Sequence, residues 1–306
     1  MTKRRELEEH RHSLAEVREI MNSMKTLAFM ESRKLDRFLA AQRTVVTDIE
    51  TVAADFLSFH PDALPAPKTD QAEVYLVIGS ERGFCGDFNA ALTDQAEVYL
   101  VIGSERGFCG DFNAALGRFV AEQVSPESKP DAHLIVCGRK LQPLLEHDAR
   151  VVHYTEGASV VEEIAAVLGQ ITDTLTGLQS DHGAPSLYLV FHESEESGII
   201  RQRLLPPFRE LAQPESQPGF APRLLLEPAE FVLQLTEQYV FAALHAALYQ
   251  SLMIENRRRV RHLEGAVSHL DEETAELTRR SNSLRQEEIV EEIEVILLSR
   301  DSLAAP

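Results

Sequence analysis

The sequence predicts an α/β domain set between the arms of a long antiparallel coiled coil, with N- and C-terminal helices flanking a mostly parallel, helix-covered sheet. Three observations carry this. Residues 1–60 contain neither glycine nor proline. Residues 229–305 contain no proline and a single glycine, Gly265. Between them, apolar, β-branched runs alternate with helix-like stretches, the pattern of strands joined through helices. The chain therefore divides into a helix at 1–60, an α/β domain at 61–226 and a helix at 227–306.

The first helix has a seam. Leu7, His10, Leu14, Val17, Met21, Met24, Ala28, Glu31, Leu35 and Phe38 step by three and four, with His10 and Glu31 as polar interruptions. A period of 3.5 places such side chains on one stripe of a helix. Ten basic and ten acidic residues fill the other faces of residues 1–58. A helix of that length, roughly 80 Å at the usual rise, cannot bury its stripe against itself and needs another helix.

The middle opens on an oddity. The 24 residues TDQAEVYLVIGSERGFCGDFNAAL occur twice without a difference, at 69–92 and 93–116. In the second copy, EVYLVI at 97–102 reads as a strand and 113–123 as a helix. HLIVC at 133–137 is a second buried strand, 140–146 a short helix and VVHY at 151–154 a third strand. Ser159 is placed to cap a helix through about 178, with Glu162 three residues on completing a capping box. SLYLVF at 186–191 is a fourth strand and 198–205 a fifth. Only the second copy runs on into a full helix, so 98–103 is expected in the sheet. The first copy is expected to lengthen the linker or add an edge strand, where an apolar run is an aggregation hazard.

The polar, proline-bearing segment 213–222 leads into the last helix, which Glu227-Pro228 opens, since proline suits a first helical turn. Val260, Leu263, Val267, Leu270, Thr274, Leu277, Ser281 and Leu284 repeat the three-four rhythm, and the stripe then moves one residue to Ile289, Ile293 and Ile296. A bundle of shorter, broken helices is the alternative, but the missing breakers and strict period argue against it.

A formal charge of −19 over 306 residues is the wrong sign for neutralising nucleic-acid phosphates. No apolar run approaches the ~18–20 residues that span a bilayer, and the charged N-terminus has no apolar core behind it, unlike a secretory signal. Cys85, Cys109 and Cys137, two of them copies of one position, make no disulfide framework and point to a reducing compartment.

The candidate for chemistry is the loop GSERGFCGDFN, which follows a strand and opens a helix, as phosphate-binding loops do. Its glycines, Gly103, Gly107 and Gly110, fit neither the dinucleotide nor the P-loop spacing, there is no P-loop lysine, and Asp111 at the helix start would repel an anion. A tight structural turn explains it better, and Cys109 reads as a small packed thiol rather than a nucleophile. His10 and His12, two apart on a helix, do not share a face as metal ligands would. The run HESEE at 192–196 has no ligand partners and reads as an exposed strand end. No catalytic residue, cofactor site or metal site is assigned.

Three segments carry a resemblance. SLAEVREIMNSMKTLA at 13–28 is similar to the N-terminal signature of the gamma subunits of F-type ATP synthases, SERGFCGDFN at 104–113 to their S-D-R-G-L-C-G-x-x-N, and ENRRR at 255–259 with NSLRQ at 282–286 to their C-terminal motifs, followed by acidic EEI at 291–293. The order is that family's order. Ala15, Glu16, the ending SRDSLAAP and the net charge depart from it, as in a divergent member of the alternative, second-operon ATPase type.

The resemblance implies a central-stalk rotor: a coiled coil inside a ring of alpha and beta subunits, with the α/β domain near epsilon and the membrane c-ring. Ion flow, H⁺ or Na⁺, turns the shaft, and nucleotide chemistry belongs to alpha and beta. It further implies a peripheral place on the cytoplasmic face of a bacterial inner membrane, and partner contacts at Met24, Lys25, Asn282, Arg285 and Gln286. The competing readings are a coiled-coil scaffold outside any ATPase, which leaves the ordered motifs unexplained, and a nucleotide-binding α/β enzyme, which lacks its phosphate loop. Since the family pattern holds one copy of the repeated unit, the doubling reads as one structural turn written twice.

Overall fold

The computed structural model describes residues 2–64, 76–77, 87–88, 97–182, 186–194, 198–208, 211, 220 and 223–303. N- and C-terminal helices bracket a mixed central sheet. In chain order the elements are α1 (Thr2–Phe59), β1 (Leu76–Val77), β2 (Asp87–Phe88), β3 (Glu97–Ile102), α2 (Phe112–Gln123), β4 (His133–Cys137), α3 (Gln142–Leu145), β5 (Val151–Thr155), α4 (Ile164–His182), β6 (Ser186–Ser194), β7 (Gly198–Leu205) and α5 (Pro228–Leu303).

The five-stranded sheet has the order β5-β4-β3-β6-β7. β3 pairs in parallel with β4 and β6, and β4 with β5. β7 runs antiparallel to β6. Chain length explains the switch: only three residues separate β6 from β7, far too few for the crossover that parallel neighbours require. β3, from the second copy of the repeat, is the central strand, and five of its six residues are buried. A strand covered on both faces has to be apolar throughout, and VYLVI is. Of the first copy, residues 76–77 and 87–88 form a separate two-stranded ladder. The rest of that copy, Cys85 included, lies outside the described residues, as do most of the segment 213–222 and residues 304–306.

Contacts group the chain into two units, Met30–Arg258 and Met1–Phe29 with Arg259–Pro306. In the first, one core joins the strands to α2 through Phe112, Leu116 and Val120, to α4 through Ile164, Leu168 and Ile171, to α1 through Leu35, Leu39, Phe56 and Leu57, and to α5 through Leu244, Leu248 and Leu252. The i, i+4, i+8 spacing of the α2 set is one helix face.

The entry to α4 differs from the expected capping box. A 3₁₀ turn, Val161–Glu163, precedes the helix. Its tighter winding brings Glu163, not Glu162, back to accept the Ser159 N–H at 2.6 Å, while Glu162 pairs with Lys34. The polar interruption at Glu31 also has a local partner, since its Oε1 accepts the Val161 N–H at 2.6 Å.

In the second unit, Ala28, Leu263, Val267 and Leu277 are buried. Arg4 pairs with Glu288 at 3.3 Å, His10 with Glu273 at 3.5 Å, and Arg18 with Asp271. The expected stripe of α5 from 260 to 284 is covered or half-covered throughout. Ile289, Ile293 and Ile296 are exposed instead of continuing it. On α1, Val17 and Phe38 are exposed while Arg18 and Leu39 beside them are covered or half-covered; Leu14, Met21, Ala28 and Leu35 are covered or half-covered as predicted, and Met24 with Lys25 and Glu31 with Ser32 are covered or half-covered in pairs. At these two positions, 17 and 38, the seam lies one residue later than predicted, and at 24 and 31 it widens to take in the next residue. Arg18 and Lys25 have aliphatic stems able to lie along apolar surface with the charge outside.

Candidate partner-contact sites and the strand-end loop

The five predicted contact residues all fall in the unit made by the two helix ends. Met24 and Lys25 are half-buried on α1; Asn282, Arg285 and Gln286 are exposed on α5. The ion pairs set the register. With Arg18 against Asp271 and Arg4 against Glu288, Met24 lies level with residues near 265. Leu284 and Arg280 line a groove of about 490 Å³ with Leu7 and His10, so 282–286 lie level with 6–10. The two clusters are therefore separate, roughly 25 Å apart along the helices. They form two separate surface clusters, not one.

The loop after β3 is closed on itself. Asn113 Oδ1 accepts the Ser104 N–H at 2.9 Å, and Asn113 Nδ2 donates to Ser104 Oγ at 2.7 Å. Ser104 Oγ lies 3.4 Å from Cys109 Sγ, and both residues are buried. Gly103 packs so close to Leu141 that a Cβ would sit 2.5 Å from the leucine Cβ, and Gly110 turns at φ +64°. This is a spacing for backbone turns and close approach.

Asp111 stands at the start of α2 without capping it. Its carboxylate accepts from Arg258 Nη1 at 2.8 Å, and the Arg258 guanidinium lies 5.8 Å over the Phe112 ring. Two motifs separated by 147 residues, SERGFCGDFN and ENRRR, thus meet through one ion pair. Within ENRRR, Glu255 and Asn256 are buried as well.

His192 overturns the expectation of an exposed strand end at 192–196. It is fully buried, stacks on Phe112 with centroids 4.1 Å apart, and its Nε2 lies 3.0 Å from the Phe112 carbonyl. Because a carbonyl only accepts, the proton sits on Nε2. Burial, the larger effect, outweighs the carbonyl and pushes the pKa down to about 4. Alternation explains the miss: β6 continues to Ser194, so His192 faces inward in phase with Val190. Glu193 and Ser194 are half-buried, and 195–196 lie outside the described residues.

The two described thiols are quiet. Cys109 and Cys137 are buried and form no disulfide. Burial, with Glu105 and Glu255 nearby, pushes Cys137 up to about 12, which suppresses the reactive thiolate at neutral pH. His10 and His12 face different carboxylates, Glu273 and Glu16. Among the described residues no helix is long and apolar enough to cross a membrane.

Comparison with known proteins accounts for this assembly. A family model described as ATP synthase matches residues 3–99 and 94–303, the second match beginning one residue inside the second copy of the repeat. The ATP synthase gamma chain of Frankia casuarinae is 27% identical over 314 aligned residues, covering 98% of each chain. Among solved structures, a chain of the Euglena gracilis mitochondrial ATP synthase (OSCP/F1/c-ring) superimposes with a TM-score of 0.59 at 15% identity, covering 99% of this chain and 95% of that one. A chain from the central stalk/c-ring of the Tetrahymena thermophila mitochondrial ATP synthase gives 0.54 at 17% identity, covering 81% and 99%. A match running through both long helices and the sheet between them leaves one conclusion: the chain belongs to the ATP synthase family, with its gamma chains.

Proposed function

We propose that this chain is the central-stalk rotor subunit of an F1Fo ATP synthase or ATPase, transmitting rotation driven by ion flow to the nucleotide sites of the alpha and beta subunits. It is non-catalytic by itself. The observation that carries the reading is the family match across both helices and the sheet together. Residues 1–60 and 227–306 act as the arms of an antiparallel coiled coil, and residues 61–226 as the domain beside epsilon and the c-ring. Support for the antiparallel arms comes from the ion pairs, in which α1 numbers rise from Arg4 to Arg18 as α5 numbers fall from Glu288 to Asp271.

Met24 and Lys25 form one contact with the alpha/beta ring, and Asn282, Arg285 and Gln286 another. An arginine fork beside an amide can hold a loop carboxylate through part of a turn and release it. The chain stays peripheral at the cytoplasmic face of a bacterial inner membrane, held there by the complex. The doubled segment acts as one structural unit, with 69–92 lengthening the linker or adding an edge strand.

Reconstitution with the alpha and beta subunits tests the reading. Arg285→Ala with Gln286→Ala is expected to lower coupled ATP turnover while the subunits still assemble. Unchanged turnover sinks the role of these two residues. Failure of the tagged chain to co-purify with alpha and beta sinks the rotor.

A further inference from the structure

In an open parallel sheet the crevice beyond the carboxyl ends of the strands is where ligands bind, often anions held by backbone N–H groups. Here that crevice lies past β3, β4 and β5, which neighbour one another in the sheet. It already holds an anion belonging to the chain. Glu105 Oε2 accepts the N–H of Arg139 at 3.0 Å, from the loop after β4. It also accepts the N–H of Gly157 at 2.9 Å, from the loop after β5. Oε1 lies 3.0 Å from Arg139 Nη2, and the Glu105 side chain is only 9% exposed.

Two backbone donors from different loops and one guanidinium are what a bound oxyanion would collect. The walls fit closely around it. A Cβ on Gly138, at φ +106°, would lie 2.8 Å from the Gly103 and Ser104 carbonyl oxygens, and one on Gly157 would lie 3.1 Å from the Gly138 Cα. The three loops meet backbone to backbone around it.

The geometry points to an anion site whose resident ligand is the Glu105 carboxylate, specific for a small monocarboxylate. Shortening residue 105 opens it to a free one. The site's role is to lock the three strand-end loops without a nucleotide. This inference stands independently of the rotor assignment.

Glu105→Ala removes a CH₂–COO⁻ group, the equivalent of acetate. In the full-length chain, the variant's thermal midpoint should fall by roughly 5 °C, for the loss of charged hydrogen bonds. Acetate should raise it along a saturating curve, while chloride at matched ionic strength should not, and the wild type should respond to neither. Glu105→Gln fills the same space and should show no acetate response. Arg139→Met in the Glu105→Ala background should abolish the rescue. A folded Glu105→Ala chain that responds to acetate no more than to chloride overturns the proposal, as does an equal acetate response in Glu105→Gln. Should Glu105→Ala fail to fold in chloride, refolding yield becomes the readout: recovery in acetate supports the site, and none overturns it.

Discussion

Burial strips water from the His192 imidazole and holds its pKa near 4, below the ordinary 6.5. Between those values the unfolded chain takes up a proton that the native chain does not. Stability is therefore full above about pH 6.5 and falls as the pH drops through that window, by about 3 kcal/mol at its lower end. His192→Gln keeps a donor for the Phe112 carbonyl and does not titrate. Urea unfolding should show the wild type losing about 3 kcal/mol more than this variant between pH 7 and pH 4. Parallel pH profiles would remove His192 from the account. His245, whose pKa burial also lowers, is common to both proteins and cancels. At this scale much was hidden: a sequence shows that His192 follows a strand but not that the strand continues, nor that Glu105 turns inward onto two distant backbone N–H groups.

Elements were more legible, because their signals are local. The absence of breakers announces α1 and α5, and VYLVI, HLIVC and SLYLVF announce strands. The strand boundaries missed on β6 and the 3₁₀ turn before α4 depend on pairing and packing that come later in the chain. The repeat yields a prediction at this scale. Because β3 of the second copy is central and paired on both sides, deleting residues 69–92 should leave the sheet intact, with unchanged near-ultraviolet circular dichroism and a cooperative unfolding transition. Loss of that transition would mean that the first copy supports the fold. The stripe of α5 gives another. Leu263 is fully buried and Leu27 of α1 is 68% exposed, so Leu263→Ala should cost about 2–5 kcal/mol and Leu27→Ala less than about 0.5. Equal costs in chemical denaturation would contradict the seam as drawn.

For the whole molecule, the helix register decides what the contact residues can do together. Met24 and Lys25 sit roughly 25 Å from Asn282, Arg285 and Gln286, beyond the range at which substitutions usually couple. In the reconstituted enzyme, Met24→Ala with Lys25→Ala and Arg285→Ala with Gln286→Ala should therefore multiply in their effects on coupled turnover, to within about twofold. A quadruple variant no worse than either double would mean that the two clusters serve a single contact.

By itself the sequence determined the element order, the unbroken helical ends, the apolar strands and the ordered motifs, because each is written in short-range spacing. It also carried the family resemblance, since those motifs lie in linear order. Tertiary structure alone decided that Asp111 meets Arg258, that the α1 seam passes through Arg18 and Leu39 rather than Val17 and Phe38, and that Glu105 occupies the strand-end crevice. Each of these depends on groups far apart in the chain coming together, and residue spacing carries no record of such meetings.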